Sequence, residues 1–404
     1  MAKNVTVRFL DRTTPPHIFT LILLAGVSAL AMNVFLPSLP GMAAHFETDY
    51  RIMQLSVAVY LLVNAVLQIF FGPISDKYGR RPVILWGVAL FVVASVGCLL
   101  ATTVEAFLFF RMCQSVVATG LVLSRAAVRD MYPPAEAASM IGYVTAGMAV
   151  VPMVGPMAGG FLDTAFGWQG SFWLLVILGL LTFALAWRDF GETARGSGLS
   201  LAQQFGEYPE LLRSPRFWGY AMATATTAGT FFAYLGGAPY VGTEVFGLDA
   251  ATLGLFFGAP AVGYFLGNFA SGRFSTRFGI NNMVLWGCIL NMIGAGLSLV
   301  FFEVGIGTEY SFFGLMTIVG FGNGIAMPNG TSGMMSVRPH LAGTASGLGG
   351  SMMLAGGAGL SGLAGLLLTE DSGPFPLLWI MFLTAAVSVL CILLVIRRER
   401  RLTM

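Results

Sequence analysis

The chain has 404 residues, of which 56% are hydrophobic and only 10% are charged. Soluble domains carry about 25% charged residues, so this composition excludes an ordinary soluble domain and indicates a membrane protein. The net charge of +2 and the absence of a basic tract from the sequence give no support to a nucleic-acid partner.

Apolar segments long enough to cross a bilayer recur along the whole chain. A span needs about 20 apolar residues, and the sequence predicts twelve transmembrane helices at 17–38, 52–72, 83–101, 104–128, 137–160, 168–187, 216–236, 252–272, 283–302, 310–330, 341–368 and 375–396. The predicted fold class is therefore all-α and membrane-spanning. The first apolar segment lacks a small-residue cleavage site, so we expect it to be retained as a span.

A polar connection at about 188–215 divides the predicted spans into two groups of six. We expect an N-terminal six-helix bundle at 1–190, a cytoplasmic linker at 191–215 and a C-terminal six-helix bundle at 216–404. A shift of 200 residues supports two pseudo-symmetric halves, because it places Gly72 on Gly272 and Gly79 on Gly279. Asp76 falls on Thr276, so the second copy of this turn lacks the carboxylate.

Lysines and arginines predict the orientation of the chain. With the N-terminus in the cytoplasm, nineteen of the twenty-one Lys and Arg fall on the cytoplasmic side, as the positive-inside rule requires. The exceptions are Arg51, on the outer side, and Arg111, inside a span. We therefore expect a multi-pass protein of a bacterial-type inner membrane with both termini in the cytoplasm.

The stretch 72–82 joins the second and third spans. Its first two residues, Gly and Pro, are expected to end the second helix, and Gly79 is expected to adopt the positive φ of a tight turn. Pro82 suits the first turn of the next helix. Asp76 is a carboxylate among basic residues, so we expect it to have a charged partner.

Two predicted spans carry unusual residues. Arg111 lies inside the fourth span, where a guanidinium costs about 2.5–3.5 kcal/mol on insertion scales. It either extends to the membrane interface or faces a central cavity together with Gln114, which shares its helical face. The fifth span holds prolines and small residues that allow close helix packing, namely Pro152, Gly155, Pro156, Gly159 and Gly160.

Other polar residues follow helical spacing along single spans. Each either lines a cavity or makes an interhelical hydrogen bond worth about 1 kcal/mol. They are Tyr60, Asn64 and Gln68 on the second span, Thr226, Thr230 and Tyr234 on the seventh, Tyr264 and Asn268 on the eighth, and Asn323 on the tenth.

These motifs resemble those of the major facilitator superfamily. The stretch 72–82 resembles its Gly-x-x-x-Asp-Arg/Lys-x-Gly-Arg-Arg loop, and 111–115 resembles Arg-x-x-Gln-Gly with Ser115 in place of the last glycine. The fifth span resembles the Gly-Pro-x-x-Gly-Gly motif of the antiporters. Together with 29–40, these stretches resemble the drug–proton antiporters of the bicyclomycin and chloramphenicol/florfenicol resistance group.

The resemblance implies the major facilitator fold, with substrate held between the halves. It also implies that Arg111 takes part in proton coupling and in the response to substrate. The chain departs from the group at Asn33, where an Asp usually carries the proton. Asn33 is either an engineered mimic of a protonated Asp or a natural residue of a protein with lost or rerouted proton coupling. A cavity with Arg111 and without this carboxylate should favour neutral or anionic solutes over lipophilic cations.

The resemblance also implies a conformational switch at Asp76. In the family this carboxylate joins a cytoplasmic charge cluster that holds the halves in the outward-open state. Arg129 is its candidate partner here, with Asp130 beside it and Arg125 one turn earlier. Arg80 and Arg81 belong to the same basic turn and complete the predicted switch residues.

The leading functional hypothesis is a secondary transporter that exports small drug-like molecules by proton exchange. An uncoupled facilitator or uptake transporter for a neutral or anionic metabolite is the alternative, and a non-transporting sensor or scaffold is a minor one. We expect a monomer with a small-molecule substrate, protons and lipid as its partners. We expect no enzyme, metal or cofactor, because the sequence shows no metal-ligand cluster among its cysteines (Cys98, Cys113, Cys288, Cys391) and histidines.

Overall fold

The computed structural model describes residues 7–132, 151–194, 209–338 and 342–403, together with the single positions Met140, Val144 and Met148. These residues form helices and loops, and no strand occurs among them. The first half, up to residue 194, contains α1 (Ile18–Asn33), α2 (Leu39–His45), α3 (Tyr50–Tyr78), α4 (Arg80–Leu100), α5 (Val104–Gln114), α6 (Ala118–Met131), α7 (Val151–Phe166) and α8 (Gln169–Asp189).

The second half, from residue 209 onward, contains seven further α-helices. They are α9 (Pro215–Tyr240), α10 (Ala250–Phe256), α11 (Gly258–Phe278), α12 (Ile280–Glu303), α13 (Glu309–Val337), α14 (Ala342–Leu367) and α15 (Phe375–Thr403).

Ten helical stretches are long and apolar enough to cross a membrane, which confirms the all-α membrane fold. The other two predicted spans correspond to α7 and α9. Only 16 residues of α7 are described, and the beginning of the fifth predicted span lies outside the described residues. The 26 residues of α9 include several threonines, which lower its mean hydropathy.

Three predicted spans are interrupted. The first breaks after Asn33 and continues through a 3₁₀ turn at Leu36–Ser38 into α2. The fourth changes to a 3₁₀ turn at Ser115–Val117, directly after Gln114, and the eighth breaks at Phe257. Hydropathy averages over such breaks, so the sequence does not indicate them.

The predicted end of the second helix at residues 72–73 is wrong. Helix α3 continues through Gly72 and Pro73 to Tyr78 and ends at Gly79, whose φ of 96° and ψ of 150° form the turn. Proline removes one hydrogen bond, but the neighbouring helices keep the backbone helical. The predicted positive φ at Gly79 and the position of Pro82 in the first turn of α4 are both confirmed.

The two ends of the bundle differ in charge. We call one the basic end, because it carries the first and last described residues and the cations Lys77, Arg80, Arg81, Arg129, Arg216, Arg397, Arg398, Arg400 and Arg401. The opposite end, which we call the acidic end, carries Glu47, Asp49, Glu244, Asp249 and Glu303.

The halves are joined by hydrogen bonds and close packing at the acidic end. Helix α3 packs along α14, and α7 packs against α10. Tyr50 Oη donates to the Gly236 carbonyl at 2.9 Å, and Gln54 Nε2 donates to the Ser361 carbonyl at 2.6 Å and to its Oγ at 2.8 Å. The ring centroids of Tyr50 and Tyr240 lie 4.9 Å apart. These contacts close the acidic end of the space between the halves.

Candidate functional site

Arg111 lies in the interior of the first half, in neither of the two places that the sequence suggested. Its side chain is fully buried. Nε donates to the Ser56 carbonyl at 3.2 Å, Nη2 donates to the Ala31 carbonyl at 2.9 Å, and Nη1 donates to Gln114 Oε1 at 2.7 Å. Its donors are therefore committed to α1, α3 and its own helix α5, and in this conformation it does not face a cavity.

Two aromatic rings enclose the same guanidinium. Its central carbon lies 4.3 Å from the ring centroid of Phe35 and 3.9 Å from that of Tyr60. Such cation–π contacts stabilise a desolvated cation by about 2 kcal/mol or more. Tyr60 was predicted to contact substrate, but it is fully buried against Arg111. Gln114 is also fully buried, and its Nε2 donates a hydrogen bond to Ser95 Oγ at 2.8 Å.

Asn64 and Gln68 occupy the next turns of α3 toward the basic end. Asn64 is 4% exposed, and its Oδ1 accepts a hydrogen bond of 2.7 Å from Gln68 Nε2. Gln68 is half-buried and lies opposite Gly350 of the second half. Asn64 thus lies in the packed part of α3, and Gln68 lies beside the second half.

Asn33 ends α1 where that helix meets α7. It is 3% exposed, and its Oδ1 has no hydrogen-bond partner among the described residues. A Cβ added at Gly155 would lie 3.8 Å from Asn33 Cβ, and one at Gly159 would overlap the Val34 carbonyl. The glycines therefore allow α7 to approach the broken end of α1.

The same glycine motif also contacts the second half. A Cβ at Gly160 would overlap the Ala250 carbonyl, and one at Gly254 would lie 2.6 Å from the carbonyl of Pro156. Gly155, Gly159 and Gly160 thus lie at close approaches between helices. The side chain of Pro152 lies outside the described residues. The motif lies between the end of α1 and the beginning of α10, where the acidic end is closed.

A charge cluster joins helix ends at the basic end of the first half. The Arg80 guanidinium contacts Asp76 at 2.5 Å and Asp130 at 3.0 Å, and it also donates to Ser75. Arg80 thus forms an ion pair with Asp76, because the turn at Gly79 returns Arg80 onto α3. Arg129 is exposed, and its charge interacts with those of Arg80, Asp76 and Asp130.

Two carboxylates at and just after the end of α8, which the sequence reasoning missed, stabilise this end. Glu192 accepts hydrogen bonds from the backbone N–H groups of Arg80 at 2.8 Å and Arg81 at 3.2 Å, so it caps the beginning of α4. Arg81 donates to the Trp187 carbonyl at 3.1 Å. Asp189, which is fully buried, accepts from Leu10 N, His17 N and Thr20 Oγ1. Both roles involve residues more than 100 positions apart, which no local pattern can indicate.

In the second half, Tyr234 lies in an aromatic cluster and does not face a cavity. It is 1% exposed and contacts the rings of Phe257, Phe312 and Phe313. Three of the other predicted polar residues make hydrogen bonds within their own helix or to another helix of the second half. Thr226 donates to Met222 O, Thr230 accepts from Asn291 Nδ2, and Asn323 donates to Val319 O.

Tyr264 and Asn268 remain half-buried on α11. Asn268 Nδ2 donates to the Tyr264 carbonyl at 2.8 Å. The Tyr264 side chain interacts electrostatically with Arg125 of α6, which belongs to the first half.

A cavity of about 990 Å³ opens at the basic end of the second half. It surrounds the turn at Gly279, whose φ of 80° and ψ of 153° repeat those of Gly79. Ile280 takes the place of Arg80 there, and an ion pair between Arg216 and Glu399, to which Asn281 also donates, supplies the charges beside this turn. The polar lining includes Ser271, Ser275, Thr276, Asn281, Asn329 and Glu399.

Comparisons with known proteins give consistent results. The family model described as Major Facilitator Superfamily matches residues 21–361. Multidrug resistance protein D of Escherichia coli (strain K12) is 29% identical over 374 residues, which cover 92% of this chain and 93% of the relative. The chloramphenicol resistance protein of Pseudomonas aeruginosa is 30% identical over 322 residues, or 79% of this chain and 76% of the relative.

Solved structures share the fold at low sequence identity. A crystal structure of the peptide transporter POT in complex with alafosfalin matches with a TM-score of 0.77 at 13% identity and covers 97% of each chain. A bacterial homologue of the human lysosomal transporter Spinster, in an inward-facing and occupied conformation, matches with a TM-score of 0.70 at 16% identity over 95% of this chain and 96% of that one.

Proposed function

Since the chain belongs to the major facilitator superfamily, a family of membrane transporters, we propose that it exports small drug-like organic molecules by proton-coupled antiport. The relatives named for multidrug and chloramphenicol resistance carry this proposal, because they match most of the chain. The glycine motif of α7 also supports it, since it packs at the closed acidic end between α1 and α10.

The mechanism that we propose is alternating access between the halves 1–190 and 216–404, joined by the linker 191–215. In the orientation that the positive-inside rule favours, the basic end is cytoplasmic. The hydrogen bonds at Tyr50 and Gln54 then close the outer side, and substrate enters from the cytoplasm. The membrane that we propose is a bacterial inner membrane, with the chain working as a monomer.

The proposed roles of the predicted site residues follow from their positions. We propose that the half-buried side chains of Tyr264 and Asn268 contact substrate. Asn64 accepts a hydrogen bond from Gln68, so we propose that it orients Gln68 toward substrate. Arg111, Gln114, Tyr60 and Tyr234 support the bundle and reach substrate only after a rearrangement, because they are fully buried here. Asn33 and the cluster of Asp76, Arg80, Arg81 and Arg129 act on the change of conformation.

An uncoupled facilitator or uptake transporter is the second candidate, and the neutral Asn33 favours it. An amide cannot carry a proton, and Asp189, which is fully buried, is committed to Leu10, His17 and Thr20. Proton coupling would therefore need a group other than the side chain at position 33.

The test is uptake of radiolabelled chloramphenicol into proteoliposomes with and without an imposed proton gradient. Antiport predicts that an acidic interior drives concentrative uptake and that a protonophore abolishes it. Flux that ignores the gradient would establish the facilitator instead, and flux equal to that of protein-free liposomes would contradict both. Asn33→Asp is the informative variant, since antiport limited by this position predicts a steeper dependence on the gradient.

A further inference from the structure

An apolar groove lies beside the cavity at Gly279 on the surface of the second half. Its volume is about 450 Å³, and the described residues that line it are all apolar. They include Phe274 and Phe278 of α11, Trp286 and Leu290 of α12, and Phe321 and Ile325 of α13. The rings of Phe274, Phe278 and Trp286 are exposed, so the groove opens toward the surroundings of the bundle.

Glycines explain why the groove forms there. A Cβ at Gly267 would overlap the Phe321 carbonyl, and a Cβ at Gly287 would lie 2.6 Å from the Gly322 carbonyl. Helices α11 and α12 therefore both pack closely on α13. The groove runs between α11 and α12, and α13 forms its floor.

The groove and the cavity meet at Phe278, which lines both. The ring centroid of Phe278 lies 5.0 Å from that of Trp286 in the groove. The guanidinium carbon of Arg277 lies 5.3 Å from the same Phe278 centroid. The two spaces thus adjoin to make a site that is apolar along the helices and polar at the basic end, with a cation at the junction.

The length of the groove matches one leaflet of a bilayer. Leu290 lies eleven residues after Gly279, about 16 Å along a helix at 1.5 Å per residue. The hydrocarbon core of a bilayer is about 30 Å thick, so one leaflet contributes about 15 Å. An acyl chain that begins at Phe278 therefore fits along the groove, with its headgroup in the polar cavity of about 990 Å³.

The charges at the polar end favour an anionic headgroup. Among its described lining residues, the cavity has two cations, Arg216 and Arg400, and one anion, Glu399. Arg216 and Glu399 form an ion pair. Arg277 adds a further positive charge at the junction with the groove. Each basic residue near a membrane surface favours anionic lipid by about fivefold.

The repeat shows what an anion does at this position. In the first half, the carboxylate of Glu192 accepts hydrogen bonds from the backbone N–H groups at the beginning of α4. The corresponding beginning of α12, at Ile280, lines the cavity. A Cβ at Gly279 would have nothing within 4 Å, whereas one at Gly79 would lie 2.5 Å from Glu192. A phosphate in the cavity therefore has room to accept from the first N–H groups of α12, which attract anions.

We propose that the cavity and the groove together bind an anionic phospholipid from the leaflet at the basic end. The phosphate lies between Arg277 and the beginning of α12, and one acyl chain follows the groove past Trp286. All described residues of this site belong to the second half. The site thus concerns the surrounding lipid and is independent of the transported molecule.

The experiment measures which lipid lies beside Trp286. The full-length protein is reconstituted into vesicles of phosphatidylglycerol and phosphatidylcholine in equal amounts, with brominated acyl chains on one lipid or on the other. Bromine quenches a neighbouring tryptophan, and the contribution of Trp286 is the difference between native protein and Trp286→Phe. Phosphatidylglycerol should be preferred over phosphatidylcholine beside Trp286 by about fivefold or more.

The repeat supplies matched controls. Arg277→Gln should lower this preference about fivefold, and Arg277→Lys, which keeps the charge, should retain most of it. Lys77 is the counterpart of Arg277 at the offset of 200 residues, so Lys77→Gln removes the same charge and should leave the preference at Trp286 unchanged. Trp86, the exposed counterpart of Trp286, reports on lipid at the first half through Trp86→Phe. Melting temperatures show whether each variant folds.

Three results would overturn the inference. Equal quenching of Trp286 by the two brominated lipids would leave the cavity to a soluble anion. An equal preference at Trp86 and Trp286 would show only a general attraction of anionic lipid to the basic end. A preference at Trp286 that survives Arg277→Gln would show that the cation at the junction does not bind the headgroup.

Discussion

Two arginines on one interrupted span have opposite environments. Arg111 and Arg125 lie 14 residues apart, about 21 Å along a helix. Arg111 is enclosed by Phe35 and Tyr60 and bonded through three nitrogens, whereas Arg125 is half-buried without such partners. The first is therefore held by the bundle, whereas the second makes no hydrogen bond or ion pair with the described residues. The sequence singled out Arg111 for its depth, but depth alone does not distinguish these roles.

Arg111→Lys is expected to destabilise the protein whether or not ligand is present. A lysine ammonium cannot reach the Ser56, Ala31 and Gln114 acceptors in the planar geometry of a guanidinium. Each buried acceptor left unpaired costs about 1–3 kcal/mol, so we expect a marked loss of melting temperature. Arg125→Lys is the matched control, with little change in melting temperature. A normal melting temperature for Arg111→Lys would contradict the structural role.

At the scale of elements, the repeated turn shows how the halves diverged. Gly79 and Gly279 share a positive φ, of 96° and 80°, and both end a long helix. In the first half the turn is surrounded by Arg80, Asp76 and the capping carboxylate of Glu192. In the second half the same turn faces a cavity. The backbone of the repeat is thus retained while the charged residues differ, since the ion pair beside the second turn joins Arg216 and Glu399.

The two glycines therefore differ in their tolerance of a side chain. Gly279→Ala should cost about 1 kcal/mol from backbone strain alone, because a Cβ there meets nothing within 4 Å. Gly79→Ala should cost more, since its Cβ would lie 2.5 Å from Glu192 Oε2 and displace the cap of α4. Thermal unfolding of both variants measures the difference. Equal losses would show that Glu192 does not restrict this turn.

At the scale of the whole molecule, the two ends of the bundle are held differently. Hydrogen bonds from Tyr50 and Gln54 connect the halves at the acidic end. At the basic end, the ion pairs of Asp76, Arg80 and Asp130 lie within the first half. In the alternating access that we propose, the contacts at the acidic end break and new contacts between the halves form at the basic end. We therefore propose that the cluster at the basic end influences the balance between conformations.

Asp76→Asn is expected to reduce transport more than binding. The change removes the ion pair with Arg80 at 2.5 Å but lies in the turn at the basic end, away from Tyr264. It should therefore alter the population of conformations and leave chloramphenicol affinity within about twofold. Chloramphenicol flux and chloramphenicol binding are measured on the same preparation. Glu210→Gln, which changes an exposed ion pair with Arg338, is the control. Equal losses of flux and affinity would contradict a switch at Asp76.

Local properties of the sequence were enough to predict the membrane fold, because hydropathy accumulates over about 20 residues and needs no knowledge of neighbours. The offset of 200 residues likewise identified equivalent turns at Gly79 and Gly279, since a positive φ restricts the residue type. Close packing of Gly155, Gly159 and Gly160 was predicted for a similar reason, as only a small side chain permits such an approach.

Only the tertiary structure decided which polar residues face the space between the halves. Helical spacing places a residue on a face but does not say which helix covers that face. Tyr60 and Tyr234 are therefore buried, whereas Tyr264 is not. The ion pair of Arg80 with Asp130 and the cap from Glu192 join residues that are 50 and 112 positions apart. Such pairings arise from the packing of whole helices, and a linear pattern carries no record of them.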